Sequence, residues 1–418
     1  MFSIFEQNES GVRSYCRKFP KEFIYAKNAV LTDTEGTQYI DFFAGAGAMN
    51  YGHNNPYIKS AILEYLSEDH IIHALDMYTK AKEDFLSCFV NKILLPRNLH
   101  YKMMFCGSTG TNAVEAALKL CRKVKGRHNV FAFSGAFHGM TLGSLAMTSD
   151  HYSRNGAGVP LSNITFMPYY NAFENPMMSL DYMEQILNDD HSGIDIPAAI
   201  FLETVQAEGG INPAPTEWLQ RLRDICNRYD ILMVVDDIQV GVGRCGTFFS
   251  FERADIVPDM VMLSKSISGF GLPMSLLLMK PALDLFKPAE HNGTFRGNQL
   301  GFVGAKAGIE YFINEDLNDV VKKKEEIICE FLTNEILSLD SRLKIRGIGM
   351  IWGIDFGDID ASLAKEVSHR CFDAGLVIEL AGRGDCDLKL LPPLTIDEEN
   401  LKKGLSIIKK VIISILNS

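Results

Sequence analysis

Between residues 231 and 268 two short apolar runs each lead into a charged residue, and few folds accommodate that pattern. The first run, 231–235, reads Ile-Leu-Met-Val-Val and ends in Asp236 and Asp237. Short continuous apolar runs bounded by charge are the mark of strands buried on both faces. A glycine-rich turn carrying Arg244 follows (Gly241, Gly243, Gly246), and a second run, 260–263, delivers Lys265 among Ser264, Ser266 and Ser268. The spacing suits two strands joined by a crossover, with an acid at the end of one and a lysine just past the end of the next. Ligands of open α/β sheets bind at such carboxyl ends. A lysine there suits Schiff-base chemistry, because burial and neighbouring charge lower an amine's pKa until it is nucleophilic. A carboxylate there suits a pyridine nitrogen that must stay protonated, as in pyridoxal phosphate (PLP). For either residue alone, a surface lysine or a capping aspartate is the competing reading.

The remainder of the composition narrows the setting. At 418 residues the chain can hold two domains, or one large core with an appendage. Its 47% hydrophobic and 22% charged residues suit a soluble globular protein. A net charge of −11 argues against nucleic acid or an anionic membrane as the main partner. Nine scattered cysteines without a CxxC pair read as reduced thiols of a cytoplasmic protein, with no metal site expected. The first residues carry acid and no long apolar core, so no signal peptide is expected, and no run is long enough to span a bilayer.

Along the chain, residues 1–55 read as a hairpin segment, with strands at 30–31 and 39–43 around a turn at 33–36. The small-residue loop 45–53 lets backbone approach a ligand, or is simply a turn. Two helices are expected over 56–94. A strand at 102–106, the turn Gly-Ser-Thr-Gly-Thr-Asn at 107–112 and a helix at 113–124 form an anion site, where free N–H groups and the helix dipole favour a phosphate. A plain helix cap uses the same residues. The turn is neither GxGxxG nor GxxxxGK[ST], which lowers the dinucleotide and nucleoside-triphosphate readings. The strand 130–133 leads to Phe137, a candidate to stack on a flat ring, and His138; core packing and a satisfied loop histidine are the alternatives.

Further strands are expected at 164–167, 198–202 and 275–279, with helices at 216–229 and up to 312. Glu208 is the most interesting carboxylate outside the central stretch. Strands alternating with helices predict a largely parallel α/β sheet. From about 315 the character changes. A long charged helix over 317–337, paired strands within 343–356, a helix at 362–373, strands at 376–380 and 388–391, and a helix at 398–416 make an α+β unit that packs beside the opening hairpin. The expected division is therefore 1–55 and 315–418 as the two parts of a small domain, and 56–314 as the large cofactor-binding domain.

Several motifs in order, YIDFFAGAGAMNYGHNNP, GSTGTNAVEAALKL, FSGAFHGMTLGS, ETVQAEGGINPA, VVDDIQVGVGRCGTFFSFE, LSKSISG, HNGTFRGN and LLPPLTI, resemble the class III (ω-amino acid) aminotransferases of PLP fold type I over essentially the whole chain. FEQNESGVRSYCRKFP and EHNGTFRGN carry a narrower similarity to the diaminobutyrate–2-oxoglutarate branch, which includes the ectoine-pathway enzyme. The resemblance implies an aspartate-aminotransferase-like fold with a mostly parallel seven-stranded sheet. Lys265 would bond to the PLP aldehyde and Asp236 would pair with the pyridinium nitrogen. Gln239 would lie near the ring hydroxyl, Gly110 and Thr111 would bind the phosphate, and Phe137 and His138 would border the ring. Thr294 would reach the phosphate of a neighbouring subunit, so the active unit would be a homodimer with shared sites, open to higher assembly.

Two departures stand out. Asp237 occupies a position where many relatives have glutamate. Lys389 stands where ornithine- and GABA-type relatives have an arginine for a substrate carboxylate, which loses the bidentate fork. Glu208 would pair with Lys389 and mask it when the ω-substrate is bound. The implied reaction is reversible transamination between L-glutamate and L-aspartate 4-semialdehyde, giving 2-oxoglutarate and L-2,4-diaminobutyrate. Another ω-aminotransferase (ornithine, acetylornithine or GABA type) and a PLP aminomutase are the same-fold alternatives. A non-catalytic PLP-binding regulator and a Rossmann oxidoreductase are less consistent with the acidic charge and the absent GxGxxG.

Overall fold

The hairpin segment becomes three antiparallel strands, β1 (Phe23–Lys27), β2 (Val30–Asp33) and β3 (Gln38–Asp41). These belong to a computed structural model that describes residues 3–417. β3 stops short of the expected 43 because Asp41 Oδ1 accepts the N–H groups of Phe43 and Ala44, each at 2.8 Å, and turns the chain.

The large sheet follows with β4 (Lys102–Gly107), β5 (Val130–Phe133), β6 (Ile164–Met167) and β7 (Ala199–Leu202). A small ladder of β8 (Val205–Gln206) and β9 (Asn212–Pro213) interrupts it, and β10 (Leu232–Asp236), β11 (Met260–Leu263) and β12 (Ser275–Met279) complete it. The order is β4-β12-β11-β10-β7-β5-β6, with β12 antiparallel to both neighbours and the other pairings parallel. The apolar runs are continuous because alternate residues feed two different cores. Met233, Val235, Val261 and Leu263 enter one, with the aromatic side chains Phe85, Phe133 and Trp218. Leu232, Val234, Met260 and Met262 enter the other, under the helix Gly110–Lys125.

The closing part adds β13 (Lys344–Ile348), β14 (Ile351–Asp355), β15 (Leu376–Val377), β16 (Glu379–Ala381) and β17 (Asp387–Leu390). The stretch expected as one strand over 376–380 is split: β15 pairs parallel with β3, whereas β16 pairs antiparallel with β17. Leu376, Ile378 and Leu380 stay in a single core throughout, so the alternation is unbroken while the hydrogen bonds change partner. The charged helix Leu317–Phe331 likewise passes into a wider π segment at Leu332–Ile336. A third core joins Ala29, Ile40 and Phe42 of the opening segment to residues of the closing part.

Candidate active site

Segments leaving the carboxyl ends of β4, β5, β7, β10 and β11 meet at one edge of the large sheet and enclose a cavity of about 300 Å³. Gly110, Thr111, Phe137, His138, Glu208, Asp236, Gln239 and Lys265 all border it. The adjacency of Asp236 and Lys265 follows from register, since β10 and β11 are parallel neighbours with Asp236 opposite Met262.

Asp236 is buried at the end of β10, with its Oδ2 2.8 Å from His138 Nδ1 and its Oδ1 accepting the Ile238 N–H at 3.2 Å. Burial works against charge on the His138 imidazole, but the Asp236 carboxylate overcomes it and raises the pKa. Lys265 opens a short turn, Lys265–Ser268, in the left-handed region at φ 51°, a strained position for a side-chain-bearing residue. Burial lowers its amine below the ordinary lysine pKa, although the Glu208 and Asp236 carboxylates pull the other way. The next residue anchors this turn, as Ser266 Oγ donates to Gly47 O at 2.7 Å and accepts the Asn50 N–H at 3.1 Å. The small-residue loop is thus a left-handed turn through Ala44–Gly47 clamped against the lysine segment.

Gly110 and Thr111 start the helix Gly110–Lys125, whose first N–H groups lack intrahelical partners by construction. A Cβ at Gly110 would lie 2.8 Å from Ile238 Cδ1, so glycine lets the helix end approach the Asp236 segment without displacing that isoleucine. Thr111 Oγ1 bonds to the hydroxyls of Thr141 and Ser144 at 2.7 and 2.6 Å. Phe137 is held by its N–H, which donates to Glu203 Oε1 at 3.0 Å. Burial pushes the Glu203 carboxyl up to about 7. Gln239 Nε2 donates to Ala46 O (2.9 Å) and to Glu208 Oε1 (3.1 Å).

Glu208 Oε1 also receives Lys389 Nζ at 2.6 Å. Lys389 is fully buried on β17, directly across from Glu379 on β16, and its Nζ lies 3.0 Å from Glu379 Oε2. Burial opposes charge on Lys389, yet the two carboxylates more than offset it and hold its pKa above the usual value. Thr294 lies apart: it is exposed, on the loop before the helix Gln299–Asn314, and does not border this cavity.

A match to the family described as aminotransferase class-III runs over residues 17–412. The chain belongs to the class III aminotransferases. It is 50% identical to a diaminobutyrate--2-oxoglutarate transaminase of Halalkalibacterium halodurans over 98% of this chain and 96% of the relative. It is 51% identical to the transaminase of that name from Wolinella succinogenes, over 99% and 96%. The ornithine aminotransferase of Toxoplasma gondii, solved with partial occupancy of PLP, superposes with a TM-score of 0.86 at 22% identity, covering 100% of this chain and 94% of that one. That last likeness concerns the fold.

Class III aminotransferases are PLP-dependent, and the cavity fits the cofactor on its own chemistry. An amine and a carboxylate sit at neighbouring strand ends, and a helix N-terminus borders the same space. Two buried polar atoms, His138 Nε2 and Gln239 Oε1, have no hydrogen-bond partner, as expected where a polar ligand belongs.

Sequence reasoning missed Glu203 and Glu379. Their signal was a lone acid following or interrupting an apolar strand, at 199–202 and 376–380, where burial is costly unless the charge has partners.

Proposed function

We propose that this chain exchanges an amino group between L-glutamate and L-aspartate 4-semialdehyde, reversibly giving 2-oxoglutarate and L-2,4-diaminobutyrate. The observation that carries the chemistry is the pairing of Asp236 and Lys265 at adjacent strand ends on one cavity. The near full-length relatives supply the substrate pair.

When bound, PLP supplies an electron sink for the pair left on the substrate carbon that loses its proton. Lys265 would hold the cofactor through its amine and, once displaced by the substrate amine, carry the proton away from that carbon as a general base. Its lowered pKa favours the free amine that this work needs. Asp236, oriented by His138, would keep a proton on the pyridine nitrogen. Gly110 and Thr111 would hold the phosphate, Phe137 would lie against the ring, and Gln239 would sit near the ring hydroxyl. Glu208 would mask Lys389 while the ω-substrate reacts, and yield it to the distal carboxylate of glutamate or 2-oxoglutarate.

The active unit in this reading is a homodimer. Ile71, Ile72, Leu75, Met77, Tyr78 and Phe295 are exposed on segments near the Thr294 loop, a concentration of apolar surface that a second copy would cover. Thr294 would then reach the partner's phosphate site. All nine cysteines are free thiols, which supports a cytoplasmic setting. No helix among the described residues is long and apolar enough to cross a membrane.

The reaction is tested by incubating the purified protein with PLP, glutamate and aspartate semialdehyde and identifying the product by mass. Lys265→Ala should cut turnover by about a thousandfold or more and abolish cofactor labelling of the chain by borohydride. Retained turnover with the label elsewhere would end the lysine's assignment.

A further inference from the structure

We propose that Glu379 is a specificity-determining residue that reads the α-ammonium of diaminobutyrate while Lys389 reads the carboxylate on the same carbon. The inference rests on the reaction proposed above and extends it to the far end of the substrate.

One lysine needs one carboxylate, and Glu208 already provides it at 2.6 Å. A second buried acid at 3.0 Å gives Lys389 two carboxylates, and buried charge is costly unless counter-charges lie close. The register of the closing sheet fixes the pair, because Glu379 and Lys389 are direct cross-strand neighbours. On its other side Lys389 faces Gly353, over which Ile211 packs, 3.0 Å from where a Cβ would lie. Lys389 and Asp387 take one face of β17, while Leu388 and Leu390 enter the core on the other. Glu379 Oε2 is buried and, despite the nearby ammonium, receives no aligned hydrogen bond. Burial and the Glu379 and Glu208 carboxylates raise the pKa of the Tyr15 phenol, which places that hydroxyl beside the pair, and Glu208 links the cluster to the cavity.

The substrates differ at this end. When the terminal amine of diaminobutyrate reacts, the far carbon carries an ammonium and a carboxylate side by side. Lys389 and Glu379 present the opposite charges side by side, 3.0 Å apart. When the α-amine of glutamate reacts, the far end is a carboxylate alone, which engages Lys389 and offers Glu379 nothing. 4-Aminobutyrate is diaminobutyrate without the α-amine, so Glu379 is what separates the two. Recognition by a buried charged acceptor discriminates strongly against an analogue that lacks the donor.

The test compares kcat/KM for diaminobutyrate and 4-aminobutyrate in single-turnover reactions of the PLP-loaded protein, followed by cofactor absorbance. Glu379→Gln leaves Lys389 paired one-to-one with Glu208, so the fold is retained. The diaminobutyrate to 4-aminobutyrate ratio should fall by about 30- to 100-fold. Glutamate marks whatever loss comes through Lys389 alone. Glu379→Asp, which keeps the charge, should restore most of the ratio. A ratio that stays put in Glu379→Gln, an equal fall for both amines, or no recovery in Glu379→Asp would overturn the assignment. Failure of the wild-type chain to convert diaminobutyrate at all would instead overturn the underlying reaction, and this inference with it.

Discussion

Asp236 and Asp237 are consecutive, yet their environments separate them. Asp236 borders the cavity against His138, whereas Asp237 is fully buried and accepts the N–H (3.0 Å) and the hydroxyl of Ser250. Burial pushes the Asp237 carboxyl from 3.8 up to about 7, with the Ser250 bonds pulling the other way. A carboxyl whose pKa is higher folded than unfolded makes the native state bind the extra proton between those values. Stability therefore falls as pH rises through that window, by up to about 1.4 kcal/mol per pH unit. Asp237→Asn removes this dependence, since the amide still serves both Ser250 groups. Relative to wild type, the variant should gain about 1–3 kcal/mol in urea unfolding between about pH 5 and about pH 8. A difference that does not change with pH would mean Asp237 is ionised throughout. At this scale the sequence was legible where a charge closes an apolar run, as at Asp236 and Lys265, because such a residue must sit at a strand end. Glu379 was not, because its meaning comes from lying opposite Lys389, and cross-strand register is set by packing between distant segments.

Elements buried on both faces were the easiest to read. Residues 130–133 and 260–263 became strands with the expected bounds, since feeding two cores demands an unbroken apolar run, and the mostly apolar 164–167 and 275–279 did so too. β1 escaped notice because it is a half-exposed edge strand with no clean alternation. The split of β15 from β16 escaped because the switch of sheet costs no side chain its core. The contact of the helix Gln299–Asn314 with the lysine turn could not be read from periodicity either. It depends on glycine: a Cβ at Gly304 would stand 2.5 Å from Ser268 O, and one at Gly308 3.0 Å from Gly269 Cα. The helix lies against the turn that starts with Lys265, so the spacing there sets where the amine sits. Gly304→Ala should lower stability by about 1–3 kcal/mol through overpacking, read as a drop in Tm, and weaken PLP retention on dialysis. An unchanged Tm with full cofactor content would show that the helix can shift without disturbing the turn.

At the scale of the whole molecule, one buried side chain joins three distant parts of the chain around the site. Arg244 donates to Met350 O (2.9 Å), to Pro392 O and to Asn50 Oδ1 (2.5 Å), with no carboxylate in hydrogen-bond contact. The backbone N–H of Asn50 in turn donates to the Ser266 hydroxyl at 3.1 Å, beside the lysine. These bonds tie the opening loop and the closing segments to the lysine turn, whereas Thr294 stays exposed on its loop. Tyr78 is fully exposed and Ile72 is 54% exposed on the same side as Phe295, whose ring meets His73. In a dimer these apolar groups would be buried, and a carboxylate placed among them would lose its hydration without a partner, at a cost of several kcal/mol. The double variant Ile72→Asp, Tyr78→Asp should therefore sediment with the mass of one chain at micromolar concentration, where the wild type has the mass of two or more. If Thr294 completes the partner's phosphate site, that monomer should also bind PLP at least about tenfold more weakly, for the loss of about one charge-assisted hydrogen bond. A variant that remains oligomeric would place the shared surface elsewhere, and a monomer with wild-type PLP affinity would show that each chain closes its own phosphate site.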